Sequence, residues 1–214
     1  MSEENSVHSV HPDSTVFVVD DDPAVRDAVR QVVLSVGLAV ETYSTSQEFL
    51  DKYDPARPGC LVLDVRMPGR SGLDLQRELS QRGIALPVII ITGYADVYLA
   101  VRALKAGALD FIEKPFSSQV LLERIEEAIE KDRQARKENA TRAEFAVRLD
   151  SLTPRERQVM DLVVDGQPNK AIAAELGLSL KTVEGHRAHV MEKMKVSSLA
   201  ELVRLAVTAQ GRKT

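Results

Sequence analysis

Asp20, Asp21, Asp64 and Lys114 each stand where a short apolar run ends. The runs Thr15-Val-Phe-Val-Val, Cys60-Leu-Val-Leu and Phe111-Ile-Glu are too short for helices and too apolar for exposed loops. Each reads as a buried strand. In a parallel sheet, strand ends of one polarity share an edge, and ligands bind along that edge. Three carboxylates would crowd there against one ammonium. Like charges so close are costly unless a cation or a chemical task holds them. A carboxylate in such a place can act as a nucleophile and form an aspartyl phosphate. Phosphoryl transfer needs its oxygens neutralised and its partners held in line. Magnesium suits the task, because it prefers oxygen ligands and takes one or two carboxylates beside water and phosphate.

The elements that must position these residues alternate along residues 15–130. Asp22-Pro23 is an N-cap followed by proline at the first helical position. Val25, Ala28, Val29, Val32, Val33 and Val36 follow at helical spacing, and Gly37 closes the helix. A strand over 38–43, a short helix over 47–52 and the strand over 60–64 come next. A helix over 71–82 carries Leu73, Leu75 and Leu79 and stops at Gly83. Strands over 87–92 and 110–113 flank a helix over 97–106, and a fifth helix starts near Ser118. This alternation predicts an α/β fold: a doubly wound, five-stranded parallel sheet with helices on both faces.

Residues 118–149 contain no Pro or Gly, so the fifth helix has no obvious stop. Leu122, Ile125 and Ile129 should pack near its start. Beyond Asp132 the apolar stripe fades, and residues 131–150 read as a solvated, frayed helical linker, one long helix with the segment before it or a paired coiled coil. Residues 151–214 are helical by their punctuation. Thr153-Pro-Arg-Glu156 is a capping box, and its helix runs through Val159, Leu162 and Val163 to Gly166. A second helix covers 169–176 and halts at Gly177. Ser179 caps a third that reaches about residue 194, and Ser198-Leu-Ala-Glu201 opens a fourth. The short Gly177-Leu-Ser179 joint has helix-turn-helix spacing.

Composition agrees with two domains. Of the 214 residues 44% are apolar and 28% charged, ordinary for a globular protein. No apolar stretch approaches the ~20 residues of a membrane span. From Ser151 onward there are 10 Lys and Arg against 7 Asp and Glu, whereas residues 1–150 hold 18 against 25. An acidic front and a basic back make nucleic acid a candidate partner of the second domain. The opening Met-Ser-Glu-Glu-Asn resembles neither a secretory signal nor a transit peptide, and residues 1–14 read as a disordered tail whose His8 and His11 lack further ligands. The lone Cys60, inside a strand, reads as a buried spectator in a reducing cytoplasm.

Val-Val-Asp20-Asp21-Asp22, Leu-Asp64-Val-Arg-Met-Pro-Gly, Ile-Thr92-Gly and Glu-Lys114-Pro-Phe resemble the receiver domain of bacterial two-component response regulators. Leu-Thr-Pro-Arg-Glu-Arg-Gln, Asn169-Lys-Ala-Ile-Ala and Lys181-Thr-Val-Glu-Gly-His resemble the LuxR-type helix-turn-helix domain. Together they are similar to the NarL/FixJ group, most closely its FixJ-like members. The resemblance implies the flavodoxin-like strand order 2-1-3-4-5. It implies Asp64 as phosphoacceptor, and Asp20, Asp21, Asp64 and the backbone carbonyl of Arg66 around Mg²⁺. Lys114, followed by a cis peptide to Pro115, would meet a phosphoryl oxygen, as would the Thr92 hydroxyl. Thr92 and the aromatic Phe111 would then form a switch that reshapes a dimerising surface.

In the second domain the resemblance puts the third helix in the major groove. Asn169, Lys170, Lys181, Thr182, Glu184, His186, Arg187, Lys193 and Lys195 are then its candidate DNA contacts, most of them to phosphates. Glu184, with neighbouring Arg187, would carry more of the base readout because Gly185 and Ala188 have almost no side chain. The implied partners are a cognate histidine kinase, double-stranded promoter DNA, a second copy on phosphorylation and RNA polymerase, with no membrane and a cytoplasmic location. One stretch departs from the usual Gly-His-Gly-Asp-Val-Pro: here it is Gly93-Tyr-Ala95-Asp-Val-Tyr98, with different allowed backbone angles and an expected effect on switching.

Two other classes fit less well. Acid phosphatases of the haloacid dehalogenase type require a second Asp two residues after the nucleophile, where this chain has Arg66. No phosphate-binding Gly-x-x-x-x-Gly-Lys-Ser/Thr loop occurs. A constitutive DNA binder whose receiver only dimerises would have a degraded acidic pocket, and here the pocket is complete. The chain therefore reads as a phosphoacceptor and transcription regulator rather than an enzyme.

Overall fold

The computed structural model describes residues 13–93 and 97–210, the side chains of 97, 209 and 210 excepted. Most of the expected tail lies outside the described residues, and so do Tyr94 and Ala95 of the divergent loop. Ser14 is already buried at the start of the sheet.

Five strands form one parallel sheet: β1 (Thr15–Val19), β2 (Ala39–Tyr43), β3 (Gly59–Asp64), β4 (Val88–Thr92) and β5 (Asp110–Glu113). Their order is β2-β1-β3-β4-β5. The helices between them are α1 (Pro23–Ser35), α2 (Ser46–Lys52), α3 (Gly72–Gln81) and α4 (Val97–Lys105). Successive strand side chains point to opposite faces, and both faces are covered. Phe17, Val19, Leu61, Leu63, Val88 and Ile90 face Phe49 of α2, Leu75 and Leu79 of α3 and Ala103 of α4. Val16, Val18, Cys60, Val62, Ile89 and Ile91 face Val29 and Val33 of α1 and the first turns of the fifth helix. Burial on two sides explains why these strands are continuously apolar rather than alternating. Cys60 is a buried free thiol within this core.

The fifth helix, α5 (Ser118–Asp150), is 33 residues long. Its sheet-facing stripe is Leu121, Ile125, Ala128 and Ile129, so Leu121 rather than Leu122 takes the innermost position. Two compact units divide between Gln134 and Ala135, inside this helix. The helix runs unbroken through residues 131–150, the one-long-helix alternative, and most side chains over 133–144 are exposed, as the fading stripe suggested; the residues that bound this stretch are buried. Asp132 itself is 3% exposed, and its Oδ2 accepts the Gly59 N–H at 2.9 Å. Phe145 is buried in the core of the second unit, with Leu149 packed beside it. A stripe of two apolar residues four apart is too thin to stand out in the sequence, yet it fills a helix interface.

At Gly59 the chain has φ +150°, and a Cβ there would lie 1.8 Å from the Thr15 carbonyl oxygen. Only glycine lets β3 start this close to β1. Replacing Asp132 by Ala would leave the buried Gly59 N–H without its acceptor. We expect Asp132→Ala to destabilise the first unit by about 1–3 kcal/mol, read as a lower urea midpoint at unchanged slope.

The second unit adds α6 (Pro154–Val164), α7 (Asn169–Leu176), α8 (Leu180–Lys193) and α9 (Leu199–Gln210). Both halves of the Thr153–Glu156 capping box are formed. Gly177 ends α7 in the left-handed region at φ 64°, and Ser179 accepts the Thr182 N–H to start α8. Val159, Val163, Ile172, Val183, Val190, Met194 and Leu202 close the core. Among the described residues no helix is long and apolar enough to cross a membrane.

Candidate functional site

The strand register brings Asp20, Asp64, Thr92 and Lys114 to one sheet edge. Val19 pairs beside Leu63, so Asp20 and Asp64 end neighbouring strands. Thr92 ends β4 and accepts the Lys114 N–H on its carbonyl at 2.7 Å. The Lys114–Pro115 peptide is cis. Asp20 is 1% and Asp64 4% exposed, and Thr92 is fully buried. The Lys114 ammonium donates to Asp20 Oδ2 at 2.6 Å and to Asp64 Oδ1 at 2.8 Å. The remaining oxygens are also engaged: the Asp22 N–H donates to Asp20 Oδ1 at 2.9 Å, and the Arg66 N–H to Asp64 Oδ2 at 2.6 Å. Arg26 Nη1 donates to the Asp20 carbonyl at 2.7 Å, a contact that no sequence pattern pointed to. Asp22 caps α1, as its position before Pro23 suggested.

Burial pushes the Asp64 carboxyl above its ordinary range, against the hydrogen bond from Lys114. Burial also weighs against the Lys114 ammonium, but hydrogen bonds to Asp20 and Asp64 outweigh it and raise its pKa. The two shifts pull the pair in opposite senses. The ammonium decides the charge state, because two carboxylate oxygens converge on it at bonding distance.

Three carboxylates around one ammonium were expected, and two are found. Asp21 is exposed, and with Arg66, Asp74, Leu99 and Arg102 it lines a cavity of about 690 Å³ beside the pair. Successive side chains of an extended chain point to different sides, so Asp20 meets the ammonium while Asp21 faces the cavity. No group of three or more His, Cys, Asp or Glu among the described residues forms a ready metal cage. The donors nevertheless fit magnesium, which needs only one or two carboxylates in an otherwise hydrated shell. Two buried carboxylate oxygens already meet on a single cation. Phe111 is half-buried and packs against the core on the α3 and α4 side. On the exposed face of α4, the Arg102 guanidinium lies 5.6 Å from the centre of the Tyr98 ring.

In the second unit, Lys181, Thr182, Glu184, Gly185 and Ala188 are exposed along α8, and Lys170 is exposed on α7. His186 and Arg187 are half-buried. Arg187 Nη1 donates to Asn169 Oδ1 at 2.6 Å, so these two candidates form one pair across the turn. Lys193 is not a free surface cation: its ammonium donates to Glu156 Oε2 at 2.6 Å. Glu156 is 4% exposed and also accepts the Thr153 N–H at 2.8 Å, with His189 Nδ1 3.5 Å from its other oxygen. This carboxylate therefore fastens the end of α8 to the start of α6.

The Lys193 hydrogen bond, with those from Thr153, lowers the Glu156 pKa from 4.5 to about 2. A depressed folded pKa means that the contribution is complete above 4.5 and lost as pH falls toward about 2. The thermal midpoint of the second unit should drop across that window, and Glu156→Gln should start lower and drop less steeply.

Comparison with known proteins accords with this geometry. Residues 16–126 match the family model of the response regulator receiver domain, and residues 150–206 that of the luxR family of bacterial regulatory proteins. Nodulation protein W of Bradyrhizobium diazoefficiens is 47% identical over 193 residues, covering 90% of this chain and 85% of that protein. Transcriptional regulatory protein FixJ of Azorhizobium caulinodans is 46% identical over 194 residues, covering 91% and 92%. Among solved structures, response regulator StyR is similar with a TM-score of 0.81 at 44% identity, covering 91% of this chain and 98% of that one. Full-length FixJ from B. japonicum gives a TM-score of 0.58 at 44% identity, covering 94% and 98%.

Proposed function

This chain belongs to the response regulators that join a receiver domain to a luxR-family DNA-binding domain, and from that premise we propose that Asp64 is its phosphoacceptor. It is a phosphorylation-controlled transcription regulator, whose partners are a histidine kinase and DNA. The observation that carries the assignment is the convergence of buried Asp20 and Asp64 on the Lys114 ammonium.

A carboxylate oxygen of Asp64 attacks the phosphorus of a phosphohistidine. The new bond is P–O, the bond that breaks is P–N, and the imidazole nitrogen leaves with the electron pair. Lys114 neutralises charge on a phosphoryl oxygen, and the Thr92 hydroxyl donates to another. Receiver domains bind Mg²⁺ generally, and in this chain Asp20 and Asp64, with Asp21 and the Arg66 carbonyl, are its proposed ligands. The ion, when bound, neutralises phosphoryl charge in the transfer. Phosphorylation turns the Asp64 carboxylate into an acyl phosphate and exchanges one carboxylate partner of Lys114 for a phosphoryl oxygen, and Thr92 and Phe111 pass that change toward α4 and β5. The altered surface favours a homodimer.

In the second unit α8 enters the major groove. Lys170, Lys181, Thr182 and Lys195 serve phosphates, the Asn169–Arg187 pair and His186 lie at the rim, and Glu184 reads a base edge. A cytoplasmic location and contact with RNA polymerase complete the reading.

The deciding experiment is a DNA-binding titration of the full chain, with and without a small phosphodonor and Mg²⁺. Tighter binding with the donor is expected. Equal binding in both arms would favour a constitutive DNA binder and sink the switching model.

A further inference from the structure

We propose that Arg148, on the last turn of α5, is a positioning residue for DNA binding: it holds the Met194 carbonyl and so keeps Lys195 in the backbone conformation that presents its ammonium to a phosphate. The inference rests on the DNA-binding reading of the second unit. Three observations carry it.

The first is the end of α8. Its closing N–H groups are taken in order: Met194 N donates to Val190 O at 2.9 Å, Lys195 N to Glu192 O at 3.0 Å and Val196 N to Met191 O at 3.1 Å. The chain thus caps the carbonyls of Val190, Met191 and Glu192, and no backbone N–H among the described residues is given to that of Met194. Arg148 Nη1 supplies it, at 2.9 Å. A cation at a helix C-terminus is also favoured by the helix dipole.

The second is the conformation of Lys195. Its φ is 53°, and among the described residues it is the one non-glycine residue with positive φ. The position after a helix end is usually glycine or asparagine, because a Cβ is strained there. A strained residue of this kind persists where its surroundings over-determine it, and such residues gather at binding sites. Here the peptide immediately before it is gripped by Arg148.

The third is the division of labour between neighbouring lysines. Lys193 is spent on Glu156. Lys195 is exposed, and its ammonium has no partner among the described residues. Arg148 itself is unsuited to DNA. Its side chain is 19% exposed, and its second guanidinium nitrogen donates to Glu144 at 2.6 Å. Phe145 and Leu149 seat the same helical turn in the core of the unit. The residue held in place and the residue that reaches out are therefore different.

The test measures the salt dependence of binding to a non-specific DNA duplex by the full-length chain and by Arg148→Met, Arg148→Lys, Lys195→Gly and the Arg148→Met/Lys195→Gly double variant. Each phosphate contact adds about 0.9 to the slope of log affinity against log salt. Across a fourfold rise in salt the native chain should therefore lose about 3.5-fold more affinity than Arg148→Met. Lys195→Gly and the double variant should match Arg148→Met, since both steps remove the same contact, and Arg148→Lys should recover part of the slope. Phosphorylation by a small phosphodonor should be unchanged in all four. A native slope in both Arg148 variants, with the second unit still melting cooperatively, would overturn the inference and leave a merely structural hydrogen bond. A double variant lacking two contacts would overturn it too, because Arg148 would then touch DNA directly. A native chain with no salt-dependent duplex binding would overturn the DNA-binding reading itself, and the inference with it.

Discussion

Asp64→Asn should take up no phosphoryl group from a small phosphodonor with Mg²⁺, and its DNA affinity should no longer respond to the donor. The carboxamide is nearly the same size as the carboxylate but is not a nucleophile toward phosphorus. It also changes the charge at a site where one ammonium bridges two carboxylates. Asp20 keeps its own hydrogen bonds from the Asp22 N–H and Lys114, so the pocket should remain assembled. Loss of phosphorylation is therefore separable from loss of fold. Intact-protein mass spectrometry reads the missing phosphoryl directly, and a urea melt checks the fold. A variant phosphorylated at the native rate would show that another side chain is the acceptor, with Asp20 the next to examine.

Gly72→Ala should lose both stability and phosphorylation. Gly72 opens α3 directly beneath the acceptor, where an added Cβ would lie 2.0 Å from the Asp64 carbonyl oxygen and 3.0 Å from Leu63 Cγ. A clash with backbone cannot be relieved by turning a side chain. Either the end of β3 or the start of α3 must move, and the Gly72 N–H is already committed to the Val65 carbonyl at 3.1 Å. Overpacking of this kind costs about 1–3 kcal/mol and occasionally more, and here we expect the upper end. Whatever remains folded should phosphorylate slowly, because the displaced peptide carries the nucleophile. A Gly72→Ala chain with a native urea midpoint and native phosphorylation would show that this corner is looser than its geometry.

Much of this arrangement was legible along the chain because it is local. Apolar runs that end in Asp, Thr or Lys predicted strand ends, and glycines after periodic stretches predicted helix ends. The alternation of the two predicted a parallel sheet, whose edge then had to gather Asp20, Asp64, Thr92 and Lys114. The capping box at Thr153 and the short joint at Gly177 were readable for the same reason. The resemblance to known regulators added roles that periodicity alone does not contain.

Other features depend on which distant segments meet. Asp21 has the residue type of a partner for the Lys114 ammonium, yet it lines the adjoining cavity while Asp20 and Asp64 take the ammonium. Lys193 has the residue type of a phosphate contact, yet it is claimed by Glu156, 37 positions earlier. Arg148 sits in a stretch whose composition reads as linker, and it grips a carbonyl 46 positions away. The sequence by itself determined the elements, their order and the chemistry available at one sheet edge, because propensity and periodicity act between near neighbours. Only the tertiary structure decided which charges are free, which are paired and where the second unit begins, because pairing and burial are settled when remote segments exclude water together.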